Sequence, residues 1–270
     1  MRFAVVYSKK DIAGTNIVNE LKKFYLPQIQ IIELKKDSIH SENIDSEIPE
    51  LKNIEFIIFA SKHASKTQEK TLSVHATGNW RNADYGGKPG KLCKTSSLAL
   101  KFLINQIQEN QLKLNLLDYK VTLESTHHGP LIEKPCIFIE VGATETEWND
   151  KIACQAIAQT IADFQKFQEY KSNNKSIKTA IAIGGPHYCP NFTKIQLSKT
   201  SNLSISHILP EYHLPANEGM LKEAINKTLE NVESAIIDWK GCGKSEDKLK
   251  LIELIKKSGL EVLRTDQINK

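Results

Sequence analysis

The run Ile54-Glu55-Phe56-Ile57-Ile58-Phe59-Ala60 constrains this chain more than any other stretch. It is short, apolar at all but one position, and rich in β-branched and aromatic residues, which predicts a strand buried on both faces. Phe3–Tyr7 reads as a first buried strand, and Asp11–Phe24 places Ile12, Ile17, Val18, Leu21 and Phe24 at helical spacing. A second strand is expected over Gln28–Leu34, and the polar stretch Lys35–Asn53 reads as a loop or small excursion. Strand, helix, strand and strand again is the order of an α/β fold.

Later segments repeat the pattern. Ser96–Gln108 reads as a helix, Tyr119–Leu123 as a strand and Cys136–Val141 as a strand ending at Gly142. Thr144 and Glu147 form a capping box ahead of a long amphipathic helix whose stripe is Trp148, Ile152, Ala156, Ile157, Ile161 and Phe164. The polar residues Lys171–Lys175 are the candidate internal break. Beyond it lie expected strands at Thr179–Ile183, Ser204–Leu209 (half-exposed by its alternation), Ala235–Gly241 and Glu261–Leu263, with helices at Asn217–Val232 and Glu246–Lys257.

The totals exclude several classes. With 270 residues the chain can bury a substantial core. No run approaches the ~18 apolar residues of a membrane helix, and Met1–Tyr7 lacks the make-up of a secretory signal. The five cysteines are odd in number and scattered, with no CxxC pair, which points to free thiols in a reducing cytoplasm. A net charge of +4 is only mildly basic, and arginine occurs only at Arg2, Arg81 and Arg264. Lysine meets phosphate as a point charge and gives little bidentate base readout, so any nucleic-acid recognition is expected to be of backbone and shape.

The chemistry gathers at strand ends. Glu124-Ser125-Thr126-His127-His128-Gly129-Pro130 follows a strand that Gly129-Pro130 cannot continue. Ligands of open α/β sheets bind at strand ends. Three more polar clusters, around His63, His75 and His187, sit in similar places, and His207 lies in the strand near Pro210. His63, His75, His127, His128, His187 and His207, if they converge, make either a metal site or an imidazole acid–base site. Zinc accepts imidazole and carboxylate ligands, and with no HExxH motif the ligands must come from separate strands. The loop Tyr85-Gly86-Gly87-Lys88-Pro89-Gly90-Lys91 offers close backbone approach and two lysines suited to phosphate, without the pattern of a nucleotide P-loop. No GxSxG elbow or catalytic-cysteine context appears.

The same segments resemble the archaeal and plant D-aminoacyl-tRNA deacylases. The resemblance runs through Phe59–His63, His75–Trp80, Tyr85–Gly87, Thr126–Pro130, Ile139–Gly142, Ile183–Tyr188, His207–Pro210 and Asp238–Gly241, in order and over nearly the whole chain. Pro186 stands where a third glycine is expected. The resemblance implies hydrolysis of the ester between a D-amino acid and the 3'-terminal ribose of tRNA, which recycles mischarged tRNA. It further implies a zinc requirement and a single domain over 1–270. That domain would be a three-layer α/β/α core with a mixed, mostly parallel sheet, related to peptidyl-tRNA hydrolases and nucleoside phosphorylases, plus a smaller α+β subdomain.

On this reading His127 and His128 activate water or bind metal, with Glu124 and His187 in the catalytic set and His75, His187 and His207 as further metal ligands. Successive strand residues face opposite ways, so both His127 and His128 enter the site only if the strand has ended. Lys62, Lys66, Lys88 and Lys91 are the candidates for acceptor-stem phosphates. His63, Gly86, Gly87 and Tyr188 are candidates for substrate contact, and the Gly184-Gly185 backbone for the carbonyl oxygen or terminal ribose-phosphate. Two rivals remain: a zinc-dependent hydrolase of a small ester or amide, and a non-catalytic RNA-binding module, which few arginines and 7% aromatics disfavour. The resemblance implies tRNA carrying a D-amino acid as the partner, with no membrane and no stable protein partner expected, in a monomer or homodimer.

Overall fold

A computed structural model describes residues 1–27 and 29–268. Two sheets carry the architecture. The larger has six strands, β1 (Phe3–Ser8), β2 (Gln30–Leu34), β3 (Phe56–Ala64), β4 (Thr71–His75), β5 (Lys120–Leu123) and β6 (Cys136–Ala143), in the order β2-β1-β3-β6-β4-β5. β2, β1, β3 and β6 run parallel, and β4 turns antiparallel to β6, so the sheet is mixed and mostly parallel. Gln28, expected to open the second strand, lies outside the described residues.

Strand alternation divides the sheet's side chains between two cores. Phe3, Val5, Ile58, Leu72, Val74, Ile137 and Ile139 face the helices Ile12–Leu21, Ser97–Lys113 and Lys151–Asp163. Ala4, Val6, Ile57, Phe59 and Phe138 face the other way, against Leu34, Ile44, Leu51 and Ile54. The stretch Lys35–Asn53 is therefore more than a loop. Its short helical turns Ser38–His40, Ile44–Glu47 and Pro49–Leu51 cover this second face.

The smaller sheet holds β7 (Lys178–Ile183), β8 (Leu203–Leu209), β9 (Val232–Ile237) and β10 (Glu261–Arg264) in the order β10-β9-β7-β8, parallel throughout. The smaller unit is thus itself α/β. Ala180, Ala182 and Ile205 join the core of the Ser97–Lys113 helix, which lies between the sheets. β8 is buried along its whole length instead of half-exposed. Its polar positions are partnered inside: Ser204 Oγ donates to Ser97 Oγ at 2.9 Å, and Ser206 Oγ accepts from Thr228 Oγ1 at 2.8 Å.

Other departures have local causes. The expected long helix after Thr144 divides in two. The capping box opens Glu145–Trp148, and the Asp150 carboxylate then caps Ile152 and Ala153 to start Lys151–Asp163, leaving Ile152 exposed. The helix expected to run to Val232 stops at Asn226, so Leu229 is exposed and Val232 opens β9.

Candidate active site

The strand ends build the site by alternation. β3 runs on to Ala64, with Ser61 and His63 buried and Lys62 exposed between them. On the neighbouring β6, Glu140 lies level with Ser61 and Gly142 with His63. On the other side, β4 sets Ser73 beside Glu140 and His75 beside Phe138. One buried carboxylate therefore sits between two imidazoles: Glu140 Oε2 lies 3.6 Å from His63 Nδ1 and 3.5 Å from His75 Nε2. A Cβ on Gly142 would come within 2.9 Å of the His63 ring, so glycine leaves room for the imidazole there.

A second carboxylate arrives from β5. Glu124 is 1% exposed and faces His63 Nδ1 at 3.2 Å, His187 Nε2 at 2.9 Å and His127 Nε2 at 3.7 Å. Beyond Leu123 the chain leaves the large sheet and bonds to elements of the smaller one. Ser125 N donates to His187 O, and Thr126 N to Ile208 O. The strand has ended before His127, and His128 adopts φ 45°, in the left-handed region. This departure from strand alternation lets both rings enter the cluster, their centroids 4.4 Å apart.

Hydrogen bonding fixes the tautomers. Nδ1 of His75, His127 and His128 donates to the carbonyls of Ala76, Ser125 and Gly129 at 3.0, 2.8 and 2.6 Å. A carbonyl only accepts, so each Nδ1 carries the proton and each Nε2 is the atom left to face the cluster. The three residues bring ligand atoms within 4.8 Å of one another. Such an outer bond from Nδ1 to a backbone carbonyl is the usual support of a metal-binding imidazole. Two further sets, His63-Glu124-His187 and His75-Glu124-Glu140, meet the same distance criterion.

Charge divides the imidazoles. Burial, and then the charge of His75, push His127 well below the usual imidazole range and His128 down to about 4. Both are neutral near pH 7. Burial also opposes a charge on His63, but hydrogen bonds to Glu124 and Glu140 outweigh it and push its pKa up to about 12. In return His63 and His75 outweigh the burial of Glu140 and hold it down to about 2, and His187 and His63 hold Glu124 well below the carboxylate range.

The cluster opens on a cavity of about 520 Å³. His63, His127, His128, His187 and Glu140 form one side, and Ser8, Asp11, Asp37 and Ser38 line it too. Glycines clamp its rim. A Cβ on Gly86 would lie 1.7 Å from the Ile39 carbonyl oxygen, and one on Gly129 would lie 2.3 Å from Gly87 N. The Glu42 carboxylate ties the same loops, accepting from Gly87 N at 2.6 Å and from Leu131 N at 2.5 Å.

This arrangement has counterparts. The family model described as D-aminoacyl-tRNA deacylase matches residues 50–263. The chain belongs to this family. It is 37% identical over 239 residues to a D-aminoacyl-tRNA deacylase of Pyrococcus furiosus, covering 87% of this chain and 84% of that one. It is also 37% identical over 280 residues to one from Thermococcus onnurineus, covering 96% and 98%. A crystal structure of a conserved protein of unknown function superposes with a TM-score of 0.86 at 31% identity, covering 98% of this chain and 96% of that chain.

Within this family member not every candidate reaches the cavity. His63, His75, His127, His128, His187 and Glu124 come together. His207 does not: it is fully buried in β8, with Nδ1 3.3 Å from Thr126 Oγ1 and Nε2 3.4 Å from the Lys227 carbonyl, and burial lowers its pKa to about 4. Gly184 and Gly185 are also occupied elsewhere. Gly184 N donates to Leu209 O, and Cβ atoms on the pair would meet Cys242 Sγ at 2.5 Å and Asp238 Oδ2 at 2.9 Å. These glycines admit the loop after β9 and do not line the cavity. Tyr188 reaches the cluster through its hydroxyl, 2.9 Å from His63 Nε2. Gly86 and Gly87 shape the rim, Lys62 lines the cavity, and Lys66, Lys88 and Lys91 are exposed on loops.

Sequence reasoning passed over Glu140, Asp37, Ser38 and Glu42. A signal existed for the first, since Glu140 is the one charge in an otherwise apolar strand. The other three lie in the polar excursion, where nothing local marks them.

Proposed function

We propose that this protein hydrolyses the ester joining a D-amino acid to the 3'-terminal ribose of tRNA, freeing tRNA that carries the wrong enantiomer. The observation that carries this reading is the convergence of three imidazoles, each with its Nδ1 proton held by a backbone carbonyl, and two buried carboxylates in one cluster that opens on a cavity of a deacylase-family fold. An aminoacyl ester is already activated, so positioning, a proton acceptor and donors for the developing oxyanion suffice. Two of the cavity's hydroxyls are not poised as nucleophiles. Ser61 Oγ donates to Asp11 Oδ2 at 2.8 Å, and Ser8 Oγ accepts from Lys10 N at 3.1 Å, so neither hydroxyl is paired with a histidine.

Zinc fits the donor set. His75 Nε2 is buried without a hydrogen-bond partner, and a bound cation satisfies such an atom. We assign the metal to His75, His127 and His128. Zinc bound there supplies a Lewis acid that makes water acidic and polarises the ester carbonyl. His187, with Nε2 held by Glu124, keeps Nδ1 as a proton acceptor beside the hydroxyls of Ser125 and Tyr212, each 3.3 Å away. His63 holds positive charge beside the reacting carbonyl, braced by Glu124, Glu140 and the Tyr188 hydroxyl. Lys62 stands at the cavity for the terminal phosphate, and the free, buried cysteines suit a reducing cytoplasm.

His128→Ala tests the assignment. The variant is expected to keep its circular dichroism spectrum, bind far less zinc by elemental analysis and lose deacylation of D-tyrosyl-tRNA. Turnover like that of the wild type contradicts the role of His128.

A further inference from the structure

The side of the cavity formed by Ser8, Asp11, Asp37 and Ser38 carries oxygen atoms whose use the hydrolytic cluster does not explain. Most are already committed. Asp11 accepts from Gly14 N at 2.8 Å, Ser61 Oγ at 2.8 Å and Lys62 N at 2.9 Å, and Ser8 Oγ accepts from Lys10 N. Two neighbours are open. The Ser38 hydroxyl is buried, the residue only 4% exposed, and it has no hydrogen-bond partner. The Asp37 carboxylate beside it is exposed and does not cap the turn that it precedes. An unsatisfied buried hydroxyl is costly to keep, so one in the lining of a reaction cavity calls for a ligand.

The turn that carries this pair is held in register with the histidines. The carbonyl of Ile39 packs on Gly86 and Gly129 so closely that no side chain fits at either position. The carboxylate of Glu42 bonds the loops on both sides, and Asn43 N donates to Leu131 O at 3.3 Å. The distance from Asp37–Ser38 to His128 is therefore set by backbone against backbone.

Resting on the deacylase reading, we propose that Asp37 and Ser38 receive the α-ammonium group of the D-aminoacyl ester. An ammonium offers three N–H donors and a positive charge, which complement an open carboxylate, an open hydroxyl and the nearby charge of Asp11. Of the two cations at this cavity, Lys62 holds its Nζ 5.1 Å from the centroid of the Trp148 ring and His63 is paired with Glu124 and Glu140. The subsite also accounts for chirality. With the ester carbonyl fixed at the histidine cluster and the ammonium fixed at Asp37–Ser38, the hydrogen and side chain on the α-carbon exchange places between enantiomers. One enantiomer directs its side chain into the cavity and the other into its wall.

The test compares D-phenylalanyl-tRNA with D-phenyllactyl-tRNA, which carries a hydroxyl in place of the ammonium. Comparing each variant with wild type cancels the intrinsic difference between the two esters. Asp37→Asn is expected to lower kcat/KM for the amino ester about tenfold while leaving the hydroxy ester within about twofold, and to narrow the preference for D over L. Ser38→Ala is expected to act in the same direction by about threefold and to raise the melting temperature, because it removes an unsatisfied hydroxyl. Equal losses on both esters, or no loss on either, overturn the subsite while leaving the deacylase reading intact. If the wild type cleaves neither ester, the deacylase reading falls and the subsite falls with it.

Discussion

Gly129→Ala probes the clamp between the glycine loop and the histidine loop. The added Cβ would lie 2.3 Å from Gly87 N, 2.5 Å from Gly86 C and 2.6 Å from Ile39 O. All three are backbone atoms, so no rotamer change relieves the contact. The segments must part by about 1 Å to regain ordinary contact distance. Overpacking of this kind costs about 1–3 kcal/mol of stability. The larger effect is on rate. His127 and His128 precede Gly129 directly, and a displacement on the order of 1 Å lowers kcat/KM about a hundredfold, or about 2.7 kcal/mol. Gly90→Ala is the control for rate, since a Cβ there meets no atom within 4 Å and the strain of a side chain at its φ of 66° falls on stability, away from the histidines. Single-turnover hydrolysis of D-tyrosyl-tRNA, read beside thermal unfolding, separates the two. A Gly129→Ala enzyme with the wild-type rate, or an equal loss in Gly90→Ala, refutes the clamp.

Three further outcomes are expected. Lys101 is 5% exposed, and burial depresses its pKa to about 8. The unfolded chain thus holds more protons between pH 8 and its ordinary value of 10.5, and stability rises with pH across that window and is lost as pH falls through about 8. The wild-type unfolding free energy relative to Lys101→Met should therefore increase by on the order of 3 kcal/mol over the window in urea titrations, and a constant difference contradicts the burial argument. His207→Leu removes its hydrogen bonds to Thr126 Oγ1 and the Lys227 carbonyl, which keep backbone donors in Ile208 N and Thr95 N, and should cost about 1 kcal/mol while leaving bound zinc unchanged, and loss of the metal would return His207 to the ligand set. Lys62→Ala should reduce the salt dependence of tRNA binding by about one unit of log–log slope, whereas an unchanged slope removes it from the phosphate contacts.

How legible these features were depended on whether the deciding neighbour was close in sequence. The apolar run at Ile54–Ala60 announced a doubly buried strand, and β3 confirms it. Its extension through Ser61 and His63 was hidden because polar alternation looks the same whether it meets water or Glu124 and Glu140. β4 and β8 show the same ambiguity. Ser204 and Ser206 read as the exposed face of a half-exposed strand, yet both are buried, as are Thr71 and Ser73 of β4. The clustered histidines were visible as residues at strand ends. What separated His207 from the rest was its register on the smaller sheet, where Thr126 and Lys227 use both its nitrogens. The excursion at Lys35–Asn53 was the least readable, because Asp37, Ser38 and Glu42 gain meaning only from glycines roughly 45–90 positions away in sequence.

The most direct test of the central claim is hydrolysis of D- and L-tyrosyl-tRNA by the purified protein, each measured before and after chelation and again after zinc is restored. The account predicts rapid release from the D-ester alone, lost on chelation and regained with zinc. Equal rates on both esters, or none on either, would contradict it.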